Sequence, residues 1–167
     1  MIRPLMRTFQ KLTGCVAFST LLISAVALLG GASCAAQTQA KAVPWPASQS
    51  ISPQTLAREL ESGKKPLIVC VGFPILYEAA HIPGARIEGP ARDAAGIKQL
   101  EKWARSVSKN KRVVIYCGCC PMSHCPNIHP AYRALRRAGF THVRVLDLEQ
   151  SFASDWVNKG YPTSRAK

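Results

Sequence analysis

The sequence predicts an α/β domain built on a mainly parallel central sheet flanked by helices on both faces. Two observations carry this: short continuous apolar runs bounded by turn residues, and stretches of helical apolar spacing between them. A continuous apolar run suits a strand covered on both faces, and strands that alternate with helices pair in parallel through crossovers. The 167 residues, 47% hydrophobic and 19% charged, leave room for one ordinary domain and argue against a disordered or fibrous chain.

The elements follow in order. Residues 14–36 hold nearly all of an uncharged run rich in Leu, Ala, Val and Ser directly after Arg3, Arg7 and Lys11, the layout of a secretory signal. The run is short for a membrane span, and it ends in Gly30-Gly31-Ala32-Ser33, which suits cleavage better than a permanent anchor. Cleavage before Cys34 would leave an N-terminal cysteine, and Ala32-Ser33-Cys34 resembles the end of a lipobox, with Gly31 where Leu is usual. Both a lipoprotein attached to a membrane through Cys34 and a plain secreted protein stay open; either is exported, to a bacterial periplasm. The expected division is a signal at 1–33, a linker at 34–50, the domain at 51–163 and a tail at 164–167.

Within the linker, Pro44 and Pro46 bracket Trp45 in a stretch of Gln, Ala, Lys and Ser that predicts little structure of its own. Ser52-Pro53 is a helix start, and Leu56 and Leu60 give that helix an inward face before Gly63. Leu67-Ile68-Val69-Cys70-Val71 predicts a buried strand, followed by a short helix at 76–80 and a brief strand at 85–87. Ile97, Leu100, Ala104 and Val107 predict a helix with one inward face. Val113-Val114-Ile115-Tyr116 is a second buried strand, and residues 117–130 form a Cys/Pro-rich loop. A helix through Arg137, closed by Gly139, a strand at 143–148 and a helix at 152–158 complete the domain. Cys70 reads as inert packing inside its strand, and Trp103 and Trp156 as core or partly covered helix residues.

Charge narrows the partners. The formal charge is +13, and +10 once the three leader cations are removed, since all nine acids lie further on. The cations are scattered without interleaved aromatics or a reading motif, so no nucleic-acid partner is expected. A solvated basic surface that attracts small anions or acidic headgroups is the simpler reading. Arg133, Arg136 and Arg137 carry no expected substrate role, and His142 reads as a surface residue.

Chemistry in open α/β sheets collects where strand C-termini meet loops, and Cys117 stands there. Backbone N–H groups of Gly118, Cys119 and Cys120 are expected to cradle an anion and lower the Cys117 pKa toward the nucleophilic thiolate.

Tyr116-Cys117 after its Val/Ile strand, together with Ala80-His81-Ile82-Pro83-Gly84-Ala85, resembles a rhodanese domain. The resemblance runs from about Ile51 to Thr163 and includes Trp156 and the closing Gly160-Tyr161-Pro162. It implies a catalytic cysteine, here Cys117, that takes sulfane sulfur from a small sulfur-containing anion as a persulfide and passes it to a thiol or cyanide acceptor. By the same match His81 fixes the strand-to-turn geometry through its ring, with Pro83 and Gly84 supplying the tight turn. No organic cofactor and no resident metal are implied. The chain departs from the family's pattern in three places: Cys70-Val71-Gly72 replaces a frequent Asp-x-Arg, a Gly-Gly pair before the final Trp is missing, and the loop is several residues longer, with no arginine until Arg133.

That missing arginine argues against phosphatase and arsenate-reductase chemistry, which needs Arg six positions after the cysteine to grip an oxyanion. Pro121 after Cys120 argues against haem attachment. The loop instead reads Cys117-Gly118-Cys119-Cys120-Pro121-Met122-Ser123-His124-Cys125, four thiols in nine residues. Three alternatives stay open for Cys119, Cys120 and Cys125: a stapling disulfide such as Cys120–Cys125, thiol–disulfide exchange through the Cys117/Cys120 C-x-x-C, or capture of Zn²⁺ or Cu⁺ with His124 and His129.

Overall fold

The computed structural model describes residues 45–166; the export segment, Cys15, Cys34, the front of the linker and Lys167 lie outside the described residues. Five strands form one sheet: β1 (Ser50–Ile51), β2 (Leu67–Cys70), β3 (Arg86–Ile87), β4 (Val113–Tyr116) and β5 (Val143–Leu146). Their order is β1-β5-β4-β2-β3, and every pairing is parallel. Four helices alternate with them: α1 (Pro53–Glu61), α2 (Pro74–Ala79), α3 (Ala94–Arg105) and α4 (Ile128–Arg137).

Strand side chains alternate between the two faces, and both faces are buried, which is why these strands read as unbroken apolar runs. Val69, Val113, Ile115, Val143 and Val145 pack with Leu100 and Trp103 of α3 and Ala131 and Leu135 of α4. Ile68, Cys70, Val114, Tyr116 and Leu146 face the other way, onto Leu56 and Ala57 of α1 and onto Ile82, Phe152 and Trp156. Among the described residues no helix is long and apolar enough to cross a membrane.

Ser52 caps α1 as its sequence predicts, its hydroxyl accepting from the Thr55 amide at 3.2 Å with Pro53 as the first helical residue. Ser52→Ala should lower unfolding free energy by about 1 kcal/mol, read from the urea midpoint.

Three elements differ from expectation. Ser50, expected to end the linker, pairs with Val145 in the edge strand, and Trp45 stacks on His129 at 4.7 Å with its edge toward Tyr132. Burying a large aromatic draws this Pro-flanked stretch onto α4. Second, α4 starts two residues before the expected end of the loop and takes Pro130 into its first turn, where the missing N–H has no helical partner to lose. Third, the final helix is a π-helical turn, Ala153–Val157, in which Asn158 N bonds to Ala153 O at 2.9 Å.

Candidate active site

Cys117 follows β4 directly, at the C-terminal end of the sheet, and is 3% exposed. Parallel pairing sets its neighbours: Tyr116 lies level with Cys70 of β2, so the residues after each strand meet. Gly72 is one of them. A Cβ there would stand 2.5 Å from the Cys117 carbonyl oxygen and 3.0 Å from its sulfur, so only glycine lets the two segments pass. This is the physical content of the Cys70-Val71-Gly72 departure.

Behind the strand, Gly118 takes φ +95°, a left-handed conformation that turns the chain sharply. The turn brings the sulfur of Cys119 to 3.3 Å from that of Cys117, and Cys119 in turn lies 3.3 Å from the sulfur of Cys120. A short 3₁₀ turn, Met122–His124, then returns Cys125 to the same place. The sulfurs of Cys117, Cys119 and Cys125 lie within 4.8 Å of one another. The five described cysteines, Cys70 included, are free thiols.

The cluster's close partners differ from those the spacing suggests. Cys119, not Cys120 of the C-x-x-C, is the near neighbour of Cys117, because the turn at Gly118 folds the i+2 side chain back. Neither histidine joins the sulfurs: His124 bonds through Nδ1 to the Ser123 hydroxyl at 2.9 Å, and His129 is stacked on Trp45. Of the three alternatives left open, metal capture with both histidines is not what the structure assembles; the group that comes together is three sulfurs.

The expected charge distribution is also corrected. The Cys117 thiol is pushed up, not down, because it donates a hydrogen bond to Cys125 and because it is buried; the Cys119 amide, from the expected cradle, opposes this. Cys125 moves the other way and falls to about 6. The Cys117 thiol lowers it most, and the amides of Asn127 and Ile128 at the start of α4 lower it further, against the cost of its burial. Cys120 rises, chiefly through desolvation, and Cys70 rises to about 11 for the same reason.

Asn127 has no role in the sequence reading and is central in the structure. It is fully buried, accepts from the Arg92 amide through Oδ1 at 2.9 Å, and donates through Nδ2 to the Cys117 sulfur at 3.2 Å. The backbone N–H of Arg92 fixes which end of the amide faces the sulfur. Its sequence signal, an Asn just before a helix, reads as a cap, yet the side chain makes no cap bond.

On the opposite side Cys117 and Gly118 reach a cavity of about 150 Å³, lined also by Tyr77, Ala80, Phe152 and Val157. No charged side chain lines it, and Ile75, Leu76 and Val157 are the exposed large apolar residues of the domain, two of them on its wall. Phe152 is tied to the site by its amide, which donates to the Gly118 carbonyl at 3.1 Å.

His81 lies away from the sulfurs. Its Nδ1–H donates to the Tyr77 carbonyl at 2.8 Å, its ring stacks on Tyr77 at 4.0 Å, and its backbone pairs with Ser164. Pro83 and Gly84 form the exposed turn that follows, with Gly84 at φ +77° and the Ala85 amide bonded to the Ile82 carbonyl. The Tyr116 hydroxyl accepts from the Ile82 amide at 3.4 Å, so this turn is anchored to the strand that carries Cys117. Arg136, in the last turn of α4, donates to the carbonyls of Phe140 and Thr141 in the segment that follows, both at 2.8 Å.

No curated protein matches the chain. Among solved structures it is similar to the rhodanese-like domain of an Anabaena sp. protein, with 25% identity and a TM-score of 0.53 over 71% of this chain and 80% of that one. It is also similar to a Bacillus halodurans protein, with 20% identity and a TM-score of 0.54 over 71% and 77% of the two chains. A rhodanese-like domain protein from Staphylococcus aureus matches at 18% identity and a TM-score of 0.50, over 71% and 99%. The family model described as the Rhodanese-like domain matches residues 52–149, more than half of the chain and all of the sheet from α1 onward, and the chain accordingly belongs to the rhodanese-like domain family.

Proposed function

We propose that this domain is a sulfurtransferase that carries sulfane sulfur as a persulfide on Cys117. Its family often has that activity. The observation that carries the reading is the position of Cys117: it lines the apolar cavity on one side and belongs to the sulfur cluster on the other. A sulfur donor entering the cavity is therefore brought to the residue whose sulfur has that of Cys125 within 4.8 Å as its base.

The chemistry divides between two cysteines. Cys117 gives its proton to the Cys125 thiolate and attacks the sulfane sulfur of a donor such as a thiosulfonate. The donor's S–S bond breaks, and its electron pair leaves on the sulfinate. Asn127 Nδ2 and the Cys119 amide stabilise the charge that appears on the Cys117 sulfur during attack. A nucleophilic acceptor then takes the outer sulfur, the electron pair returns to Cys117, and Cys125 returns the proton. This is the nucleophile-and-base arrangement of covalent catalysis, with a thiolate as base. Export of the chain, to a periplasm or to a lipid anchor at Cys34, belongs to the same proposal, and the donor and acceptor would be met there.

Because the base is charged above its pKa of about 6, the rate of sulfur loading should rise through that pH and level off at neutrality. Cys125→Ser should move the rising limb to alkaline pH, since a buried Cys117 then has no partner to take its proton. Near neutral pH loading should fall about 100-fold. Single-turnover loading with methanethiosulfonate across pH measures both; an unchanged profile in the variant would overturn the role of Cys125.

A second reading is favoured by the triangle of Cys117, Cys119 and Cys125 sulfurs, which suits a thiophilic cation such as Cu⁺. Stoichiometric metal in the purified full chain, with no cyanide-labile sulfur, would favour it over sulfur transfer.

A further inference from the structure

The proposed persulfide is formed on a sulfur that acceptors in solution meet poorly. Cys117 is 3% exposed, lies close against Gly72 and the cluster, and lines a cavity of about 150 Å³. A small anion can enter such a space; the thiol of a folded protein cannot. Cys119 has the complementary properties, being exposed and having its sulfur 3.3 Å from that of Cys117. The left-handed Gly118 between them is what puts both side chains on one side of the turn, and a side chain at that position would meet Phe152.

We propose that Cys119 is a sulfur relay, taking the outer sulfur from the buried Cys117 persulfide and presenting it to protein thiols in solution. The proposal rests on the sulfurtransferase reading and names its acceptor class. In the transfer, the Cys119 sulfur attacks the outer sulfur of the Cys117 persulfide. The S–S bond to Cys117 breaks, and its electron pair stays on the Cys117 sulfur. A new S–S bond forms at Cys119. One proton moves from Cys119 to Cys117, so both residues end with the proton count they need and nothing is oxidised or reduced overall. Cys125, in contact with Cys117, is placed to carry that proton. The hop runs between residues whose sulfurs lie 3.3 Å apart, and it replaces a diffusional encounter with a buried atom by an intramolecular step.

The test uses the full chain loaded with methanethiosulfonate, quenched at intervals by alkylation and mapped by peptide mass spectrometry. In the unsubstituted protein the added sulfur should appear first on Cys117 and then on Cys119. In Cys119→Ser it should still load on Cys117, and the ratio of transfer rates to a reduced protein thiol and to cyanide should fall at least about tenfold. An unchanged ratio in Cys119→Ser would overturn the relay. So would a product in which Cys117 and Cys119 are joined in a disulfide with free sulfide released, since Cys119 would then discharge the sulfur instead of passing it on. Failure of any sulfur to load on Cys117 would remove the sulfurtransferase reading itself, a result distinct from loading without relay.

Discussion

Cys117→Ser should leave no cyanide-labile sulfur on the protein after incubation with thiosulfate or methanethiosulfonate, a loss of at least about 1,000-fold in transfer, while its far-UV circular dichroism stays native. A serine hydroxyl cannot form a persulfide, and its pKa is too high for the Cys125 thiolate to deprotonate it at neutral pH. The surrounding structure has little reason to change, since Asn127 and Cys119 can donate to an oxygen as they do to sulfur, and serine is no larger than cysteine. Full transfer in this variant would show that the sulfur goes elsewhere, Cys125 being the first place to look. Of the two donors, methanethiosulfonate should be handled better, because the cavity wall is apolar and no cation lines it for a dianion.

Trp156→Ala should cost about 3–5 kcal/mol of unfolding free energy, measured by the urea midpoint, the largest stability effect expected of any single substitution in the domain. Trp156 is fully buried and stacks on Phe152 with ring centroids 6.0 Å apart and against Tyr161 at 5.2 Å. Its Nε1–H donates to the Pro162 carbonyl at 2.9 Å. Truncation therefore leaves a cavity and an unpaired, part-buried carbonyl together. The effect should reach the site, because Phe152 both supports Gly118 and forms part of the cavity wall. Sulfur loading on the folded fraction of Trp156→Ala should slow as well. A loss below about 1 kcal/mol would mean that the π-helical turn is held by its backbone and not by this ring.

Much of the fold is legible from local residues because the forces that decide it are local or periodic. The runs at 67–71 and 113–116 have no polar residue to present to solvent, so burial on both faces, and with it a parallel sheet, follows from composition. Ser52-Pro53 starts α1 through its own hydroxyl and ring. Pro83-Gly84 makes its turn through the positive φ that glycine permits. The position of Cys117 at the end of a central strand was readable for the same reason, whereas family membership came from the resemblance carried by Tyr116-Cys117 and Ala80-His81-Ile82-Pro83-Gly84-Ala85.

What the residues alone left open is who touches whom among the sulfurs, and which of them holds the charge. Spacing suggested Cys117 with Cys120 and a pair of histidines; the turn at Gly118 and the 3₁₀ turn after it bring Cys119 and Cys125 instead. Asn127 has no role along the chain until β4 and α4 are packed together, when its side chain bridges the Arg92 amide and the Cys117 sulfur. Cys125 is shifted down and Cys117 up because burial and hydrogen-bond donors are sums over every element that meets there: β4, the loop, and the amides opening α4. Apolar periodicity and turn chemistry act within a few residues and can be read along the chain. Desolvation and sulfur-to-sulfur distance depend on segments far apart in sequence, and only the folded packing sets them.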